Sequence, residues 1–135
     1  METTLSITVR STDLDGLGHV NNAVYFQYFE QARLEHLIRL GFFPQYGRDG
    51  ASRHRFAIAE TTCRYKAPAY YRDVLLVKVS TTEVRQRSFA LAYEVRRESD
   101  GLLLAEGSSI QVWLDDSDQA APLPEAFRRA LQGSL

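Results

Sequence analysis

Apolar and polar residues alternate near the start of the chain, from Leu5 to Arg10. Alternation with a period of two is typical of a strand with one buried face, so we predict a strand at about residues 3–10. The pattern recurs later and predicts four more strands, at about residues 55–66, 73–85, 87–98 and 102–114. Ser99-Asp100-Gly101 has the composition of a hairpin turn between the last two strands.

A helical pattern separates the first strand from the other four. Asn21 or Asn22 is positioned to cap a helix of about 18 residues, and Gly41 is positioned to end it. We expect this helix to be mostly buried, because its apolar side chains cover a wide arc: Tyr25, Phe26, Tyr28, Phe29, Ala32, Leu37 and Leu40. Residues 125–131, which follow Pro122 and Pro124, predict a short terminal helix.

The order of these elements limits the fold class. A parallel α/β sheet needs a helix between successive strands, whereas here one long helix precedes four strands that hairpins can join. We therefore predict an α+β fold in which a curled antiparallel β-sheet wraps around one long central helix. The 135 residues fit a single domain, residues 1–135. Residues 42–54, with one proline and two glycines, are interpreted as an irregular connection and a candidate lid.

Composition and charge exclude several classes of protein. Sixteen basic and 17 acidic residues give a formal charge of −1, so no overall positive field attracts nucleic acid or an anionic membrane. Cys63 is the only cysteine, which excludes an internal disulfide or a CxxC zinc site, and we interpret it as a core thiol. The first residues lack the pattern of a signal peptide, and no stretch reaches the roughly 20 apolar residues of a membrane span. We expect a cytoplasmic protein.

Candidate chemistry is concentrated in residues 10–33. Asp13, Asp15, His19, Asn21 and Asn22 precede the predicted helix, where backbone N–H groups and the helix dipole can stabilise an oxyanion. These residue types are also common turn and cap residues ahead of any helix, so spacing alone leaves a purely structural role open. The motifs GxGxxG, GxxxxGK[ST], GxSxG and HExxH do not occur.

Residues 13–22 read Asp-Leu-Asp-Gly-Leu-Gly-His-Val-Asn-Asn and are followed by Tyr25, Glu30, Ala32 and Arg33. This motif resembles the signature of the hotdog thioesterases related to 4-hydroxybenzoyl-CoA thioesterase, in its HVNN variant. The likeness covers nearly the whole chain and extends to residues 63–68 with Asp73, residues 85–89, Asp100-Gly101 and residues 105–107. The resemblance implies a hotdog fold and hydrolysis of an acyl-CoA thioester to a free acid and CoA, without a metal or an organic cofactor.

The resemblance also implies roles for individual residues. Asp15 matches the catalytic carboxylate of the family, which acts as a general base for water or attacks the thioester itself. Asn22 matches the position whose backbone N–H polarises the thioester carbonyl, and His19 and Asn21 would orient groups and form hydrogen bonds. Plant acyl-carrier-protein thioesterases share HVNN but have an asparagine where this chain has Leu17. An Asp-Asn-His mechanism and carrier-protein specificity therefore do not transfer directly.

A second group of residues is a candidate for binding CoA, whose phosphates require cations near the mouth of the site. Arg85, Arg87 and Ser88 match a family segment that contacts CoA, although exposed arginines are ordinary on a strand edge. Strand alternation would place residues 85 and 87 on the same side. Arg64 and Lys66 are weaker candidates.

Other functions of the same fold stay open. Hotdog folds also serve dehydratases, acyl-carrier-protein thioesterases and non-catalytic acyl-CoA-binding modules, because fold does not fix function. The family builds its sites between subunits, so the resemblance implies a homo-oligomer, either a dimer or a tetramer. The expected partner is an acyl-CoA substrate, with no nucleic acid and no membrane. Short, long and aromatic acyl groups are all compatible with the sequence.

Overall fold

The computed structural model describes residues 1–42 and 56–135 of the chain. This part contains five strands and two α-helices: β1 (Glu2–Thr8), β2 (Phe56–Tyr65), β3 (Val74–Val84), β4 (Ser88–Arg97), β5 (Leu103–Trp113), α1 (Val24–Arg39) and α2 (Glu125–Gly133). Every predicted strand and helix is confirmed, with small differences at the ends. A single 3-10 turn, Ser11–Asp13, lies within the predicted loop. The irregular connection predicted at residues 42–54 lies, apart from Phe42, outside the described residues.

The five strands form one sheet in the order β1-β3-β4-β5-β2, and all neighbouring strands are antiparallel. We define the Thr8 end of the sheet by the pairs Thr8–Val74, Leu75–Arg97 and Tyr65–Ala105. The opposite Val84 end is defined by the pairs Val84–Phe89 and Phe56–Trp113. The predicted α+β architecture is therefore confirmed, and its two ends carry different candidate residues.

Helix α1 supplies one side of the hydrophobic core, and the inner face of the sheet supplies the other. Each Phe or Leu side chain that is fully buried in this core stabilises the folded chain by about 2 kcal/mol. Phe29 stacks on Tyr93 with ring centroids 4.4 Å apart. A Cβ atom at Gly107 would collide with the Phe29 ring and the Thr62 carbonyl, so only glycine allows the helix to approach β5 this closely. Cys63 is half-buried against this core, as expected, and burial raises the pKa of its thiol.

The two ends of α1 differ in how well the sequence predicts them. Asn21 and Asn22 are not the cap residue, because the helix begins at Val24 after Ala23, whose backbone is already helical. Asn21 instead forms a turn before the helix, where its Oδ1 accepts the N–H of Ala23 (2.9 Å). Gly41 does end the helix, as predicted. Its φ of +91° lies in the left-handed region that glycine adopts without strain.

Two polar residues of α1, Arg33 and His36, are buried together with its apolar residues. His36 is fully buried in what we call the His36 cluster, which consists of Thr3, His36, Thr81 and Ser134. Its Nδ1 and Nε2 each lie 2.8 Å from a hydroxyl, of Thr3 and Thr81 respectively. Ser134 Oγ lies 2.6 Å from Thr81 Oγ1. The cluster therefore joins α1, β1, β3 and the end of α2.

No helix within residues 1–42 and 56–135 is long and apolar enough to cross a membrane.

Candidate active site

The two acids of the Asp-x-Asp pair have opposite environments. Asp13 is buried and accepts the Arg10 backbone N–H and the Tyr28 hydroxyl on Oδ2, each at 2.9 Å. Its Oδ1 accepts the Arg10 guanidinium at 2.9 Å. Burial alone would raise the pKa of Asp13, but the hydrogen bonds from Arg10 and Tyr28 outweigh it and lower that pKa. Asp13 thus fixes the loop to α1 and is not available for chemistry.

Asp15 is exposed, and its carboxylate is held in one orientation by the loop itself. Its Oδ1 accepts the backbone N–H groups of Leu17 (2.8 Å) and His19 (3.1 Å). Its own N–H donates to the carbonyl of His19 at 2.7 Å. Both side-chain hydrogen bonds go to Oδ1, and within the described residues Oδ2 receives none. One carboxylate oxygen is therefore fixed while the other can meet a proton or an electrophile.

The segment between β2 and β3, residues 66–73, packs against this loop, and we call it the wall segment. His19 and Tyr70 form an isolated antiparallel bridge, and Val20 N–H donates to the Ala69 carbonyl at 2.9 Å. The rings of His19 and Tyr70 meet edge to face, with centroids 5.3 Å apart. The wall segment therefore sets the position of His19.

A cavity of about 270 Å³ lies between this loop, the start of α1 and the wall segment. It is lined by Asp15, His19, Val20, Asn22, Tyr25, Tyr65, Lys66, Ala67 and Pro68. The structure therefore brings three of the four catalytic candidates together, and Asn21 is the one that does not line the cavity. Tyr65, Lys66 and Pro68 were not among the predicted catalytic residues, although Tyr-Lys-Ala-Pro is part of the resemblance.

Asn22 lines this cavity just before the start of the helix. Its carbonyl accepts the Tyr65 hydroxyl at 2.7 Å. Its N–H has no acceptor within residues 1–42 and 56–135. An amide N–H beside a helix start, next to an exposed carboxylate, is an arrangement that can polarise a carbonyl while Asp15 acts on it.

Arg85, Arg87 and Ser88 lie at the Val84 end, far from this cavity. The 11 residues of β3 separate the two ends by roughly 30 Å along the strand. Residues 85–87 form the β3–β4 hairpin turn, in which Arg85 N–H donates to the Ser88 carbonyl at 2.8 Å. The expectation that strand alternation aligns Arg85 and Arg87 is wrong, because neither lies in a strand. Arg85 Nε instead contacts Glu83 at 2.6 Å.

The two weaker cation candidates lie at the Thr8 end. Lys66 lines the Asp15 cavity and is 3.7 Å from Glu106. Arg64 lines a separate cavity of about 250 Å³ with Thr62, Glu106 and Ser108. Within the described ranges, no cluster of three or more His, Cys, Asp or Glu side chains could hold a metal ion.

A curled antiparallel sheet around a central helix, with a carboxylate beside the helix start, defines a hotdog protein of the thioesterase class. The profile of the Thioesterase-like superfamily matches residues 9–131, and the chain belongs to that family.

Relatives and solved structures agree with this assignment. Long-chain acyl-CoA thioesterase FadM of Escherichia coli is 28% identical, with 96% of this chain and 90% of FadM covered. A solved structure, a thioesterase complexed with coenzyme A and Zn from Thermus thermophilus, is 32% identical with a TM-score of 0.82, covering 97% of this chain and 92% of the other.

The chloroplastic acyl-acyl carrier protein thioesterase ATL3 of Arabidopsis thaliana is 27% identical over 92% of this chain. This chain spans 64% of the length of ATL3, and its match to a putative esterase of Aquifex aeolicus spans 65% of that protein.

Proposed function

We propose that the chain hydrolyses acyl-CoA thioesters to a free acid and CoA. The observation that carries this proposal is that Asp15 and Asn22 line the same cavity. Family membership supports it, as do the names of FadM and of the CoA-bound thioesterase.

The proposed chemistry uses the carboxylate of Asp15 and the backbone N–H of Asn22. The thioester carbonyl oxygen accepts the N–H of Asn22, which stabilises the negative charge that develops on that oxygen. Asp15 takes a proton from water as the water oxygen attacks the carbonyl carbon. The C–S bond then breaks, and the CoA thiolate leaves and takes up a proton. In the other route Asp15 attacks the carbonyl carbon, the C–S bond breaks and the CoA thiolate leaves with a proton from solvent, and water then hydrolyses the mixed anhydride to the free acid and the Asp15 carboxylate.

Asp15→Asn tests the role of this carboxylate. The amide keeps the shape of the side chain but can be neither base nor nucleophile, so we expect kcat to fall by roughly 10²-fold or more. Release of free thiol from a panel of acyl-CoAs measures kcat, and thermal unfolding checks that the variant is folded. Asp118→Asn, another exposed loop aspartate, is the matched control and should keep wild-type turnover. Wild-type turnover in Asp15→Asn would refute the assignment.

The same assay separates the alternatives that the fold leaves open. A dehydratase or a non-catalytic binding module would release no thiol, and the acyl-CoA affinity of a binding module would be indifferent to Asp15→Asn. An acyl-carrier-protein thioesterase is the alternative that the similarity to ATL3 favours. Presenting the same acyl group on CoA and on the carrier protein distinguishes these two substrates, and a higher kcat/KM on CoA is the expected result.

We further propose that the enzyme is a homo-oligomer, a dimer or a tetramer, in which Arg85, Arg87 and Ser88 of one protomer bind the CoA of another. Within one chain these residues lie roughly 30 Å from the Asp15 cavity, so only a second protomer can bring them to it. Screened charge-assisted contacts of this kind should change KM by about five- to thirtyfold per arginine.

Mixing two defective variants tests this shared site. Asp15→Asn lacks the carboxylate, and the Arg85→Ala, Arg87→Ala double variant lacks the phosphate contacts. In a mixed dimer one of the two sites is complete, so equal mixing should restore about one quarter of wild-type activity at low substrate. Activity equal to the average of the two variants alone would contradict a shared site, and a monomer by light scattering would exclude it.

The lone Cys63, which fits a reducing compartment, supports a cytoplasmic location for the proposed enzyme.

A further inference from the structure

Arg97, the last residue of β4, has most of its side chain buried and uses its whole guanidinium group. Its Nε donates to Asp73 Oδ2 at 3.0 Å, and one terminal nitrogen lies 2.9 Å from Asp100 Oδ2. The other terminal nitrogen donates to the Pro68 carbonyl at 2.8 Å. Its Cζ lies 5.9 Å from the centre of the Tyr70 ring. One side chain thus joins the β4–β5 hairpin to the wall segment.

The contacts of Arg97 lead directly to the Asp15 cavity. Pro68 lines that cavity. Asp73 Oδ2, which accepts from Arg97, also accepts the backbone N–H of Tyr70 at 2.9 Å. Tyr70 in turn holds the ring and the backbone of His19, and the His19 N–H donates to Asp15. The guanidinium is therefore linked to the reacting carboxylate through Tyr70 and His19.

We propose that Arg97 is a positioning residue for the hydrolytic site: it holds Pro68 and Tyr70 so that His19 and Asp15 keep their geometry. This inference rests on the proposed function and adds to it a residue outside the cavity. Arg97 does not line the cavity and acts only through the wall segment. Lysine cannot replace it, because a single ammonium group lacks the planar fork that serves Asp73, Asp100 and Pro68 together.

The kinetic test compares Arg97→Lys with Arg96→Lys. Arg96 is the neighbouring residue and an exposed arginine, and it contacts Glu94 and the Gly101 carbonyl rather than the wall segment. A small displacement of reacting groups is costly, so we expect Arg97→Lys to lower kcat roughly tenfold with KM changed less than about threefold. Arg96→Lys should stay within about twofold of wild type. Equal kcat in the two variants would overturn the proposal.

A second readout does not depend on turnover. The imidazole NMR signals of His19, assigned by their loss in His19→Gln, should shift and broaden in Arg97→Lys and stay unchanged in Arg96→Lys. If the wild-type chain releases no thiol, the proposed function fails, while these signals still test the positioning of His19. Unchanged His19 signals in Arg97→Lys would overturn the proposal even if activity fell.

Tyr70→Leu covers the case in which Arg97→Lys does not fold, because it leaves the ion pairs of Arg97 in place. It should lower kcat and shift the His19 signals in the same way. Where both variants fold, combining them should add little further loss, since they interrupt the same connection. Losses that multiply would show that Arg97 does not act through Tyr70, and would overturn the proposal.

Discussion

Protonation of His36 should limit the stability of this fold in mild acid. The pKa of His36 is lowered from 6.5 to about 4, mainly by burial and to a smaller extent by the charges of Arg39 and the amino terminus. Arg39 donates to Thr3 Oγ1 at 3.1 Å, so the Thr3 hydroxyl can donate to Nδ1 of His36. Nε2–H then donates to Thr81. A second proton on the ring would leave the Thr3 hydroxyl without its acceptor.

The magnitude follows from the difference between the folded and unfolded pKa values. Between about pH 6.5 and pH 4 the unfolded chain binds a proton at this position that the folded chain excludes. The free energy of unfolding is therefore fully maintained above pH 6.5 and falls as the pH decreases towards 4. A difference of about 2.5 pKa units corresponds to a loss of about 3 kcal/mol. The pKa of Asp13 is lowered from 3.8, so Asp13 affects stability below this window, and the pKa of Glu94 is lowered from 4.5, so Glu94 contributes only at the acid end of the window.

Urea unfolding followed by Trp113 fluorescence at fixed protein concentration measures this loss, because oligomers unfold in a concentration-dependent way. His36→Gln removes the titrating ring and is expected to be less stable at neutral pH but to lose the pH dependence between about pH 6.5 and 4. His19→Gln, which removes an accessible histidine, should keep that dependence. A wild-type change below about 1 kcal/mol, or the same slope in His36→Gln, would refute the reasoning.

Two further predictions concern the loop and the core. Asp13→Asn removes the charge that accepts four hydrogen bonds, so we expect the free energy of unfolding to fall by about 1–3 kcal/mol, with a smaller loss of kcat than in Asp15→Asn. Gly107→Ala would push a methyl group into Phe29 and should cost about 1–3 kcal/mol in thermal or urea unfolding, whereas Gly133→Ala, with open space around it, should be neutral or stabilising.

Local sequence patterns predicted the strands and helices well, because the formation of these elements depends mainly on residues close together in the sequence. Alternation located the strands, and the polar face of α1 is exposed as the helical period requires, at Gln27, Glu30, Gln31 and Glu35. The same period places Arg33 and His36 on the buried face, but it could not predict the groups that bond these polar side chains there, since their partners Tyr93 and Thr81 are supplied by distant strands.

The candidate site shows the same division between local and distant information. The resemblance singled out Asp15 and Asn22, and the fold brings both to one cavity. The sequence alone does not show that Asp13 is buried and Asp15 is exposed. That difference depends on α1, whose Tyr28 hydroxyl packs against the loop and donates to Asp13. The alternation expected for Arg85 and Arg87 failed because a hairpin turn has no two-residue period.

Arg128 connects the terminal helix α2 to the β3–β4 turn, and this contact matters for the design of shortened variants. Its guanidinium donates to the backbone carbonyls of Arg85 (2.8 Å) and Gln86 (2.5 Å) and so holds the shape of the β3–β4 turn. Shortening the chain before Arg128 would therefore change more than the packing of a peripheral helix. It would release the turn that carries the proposed CoA-binding arginines, so we expect a truncated chain that folds to discriminate poorly between CoA and smaller thiol carriers.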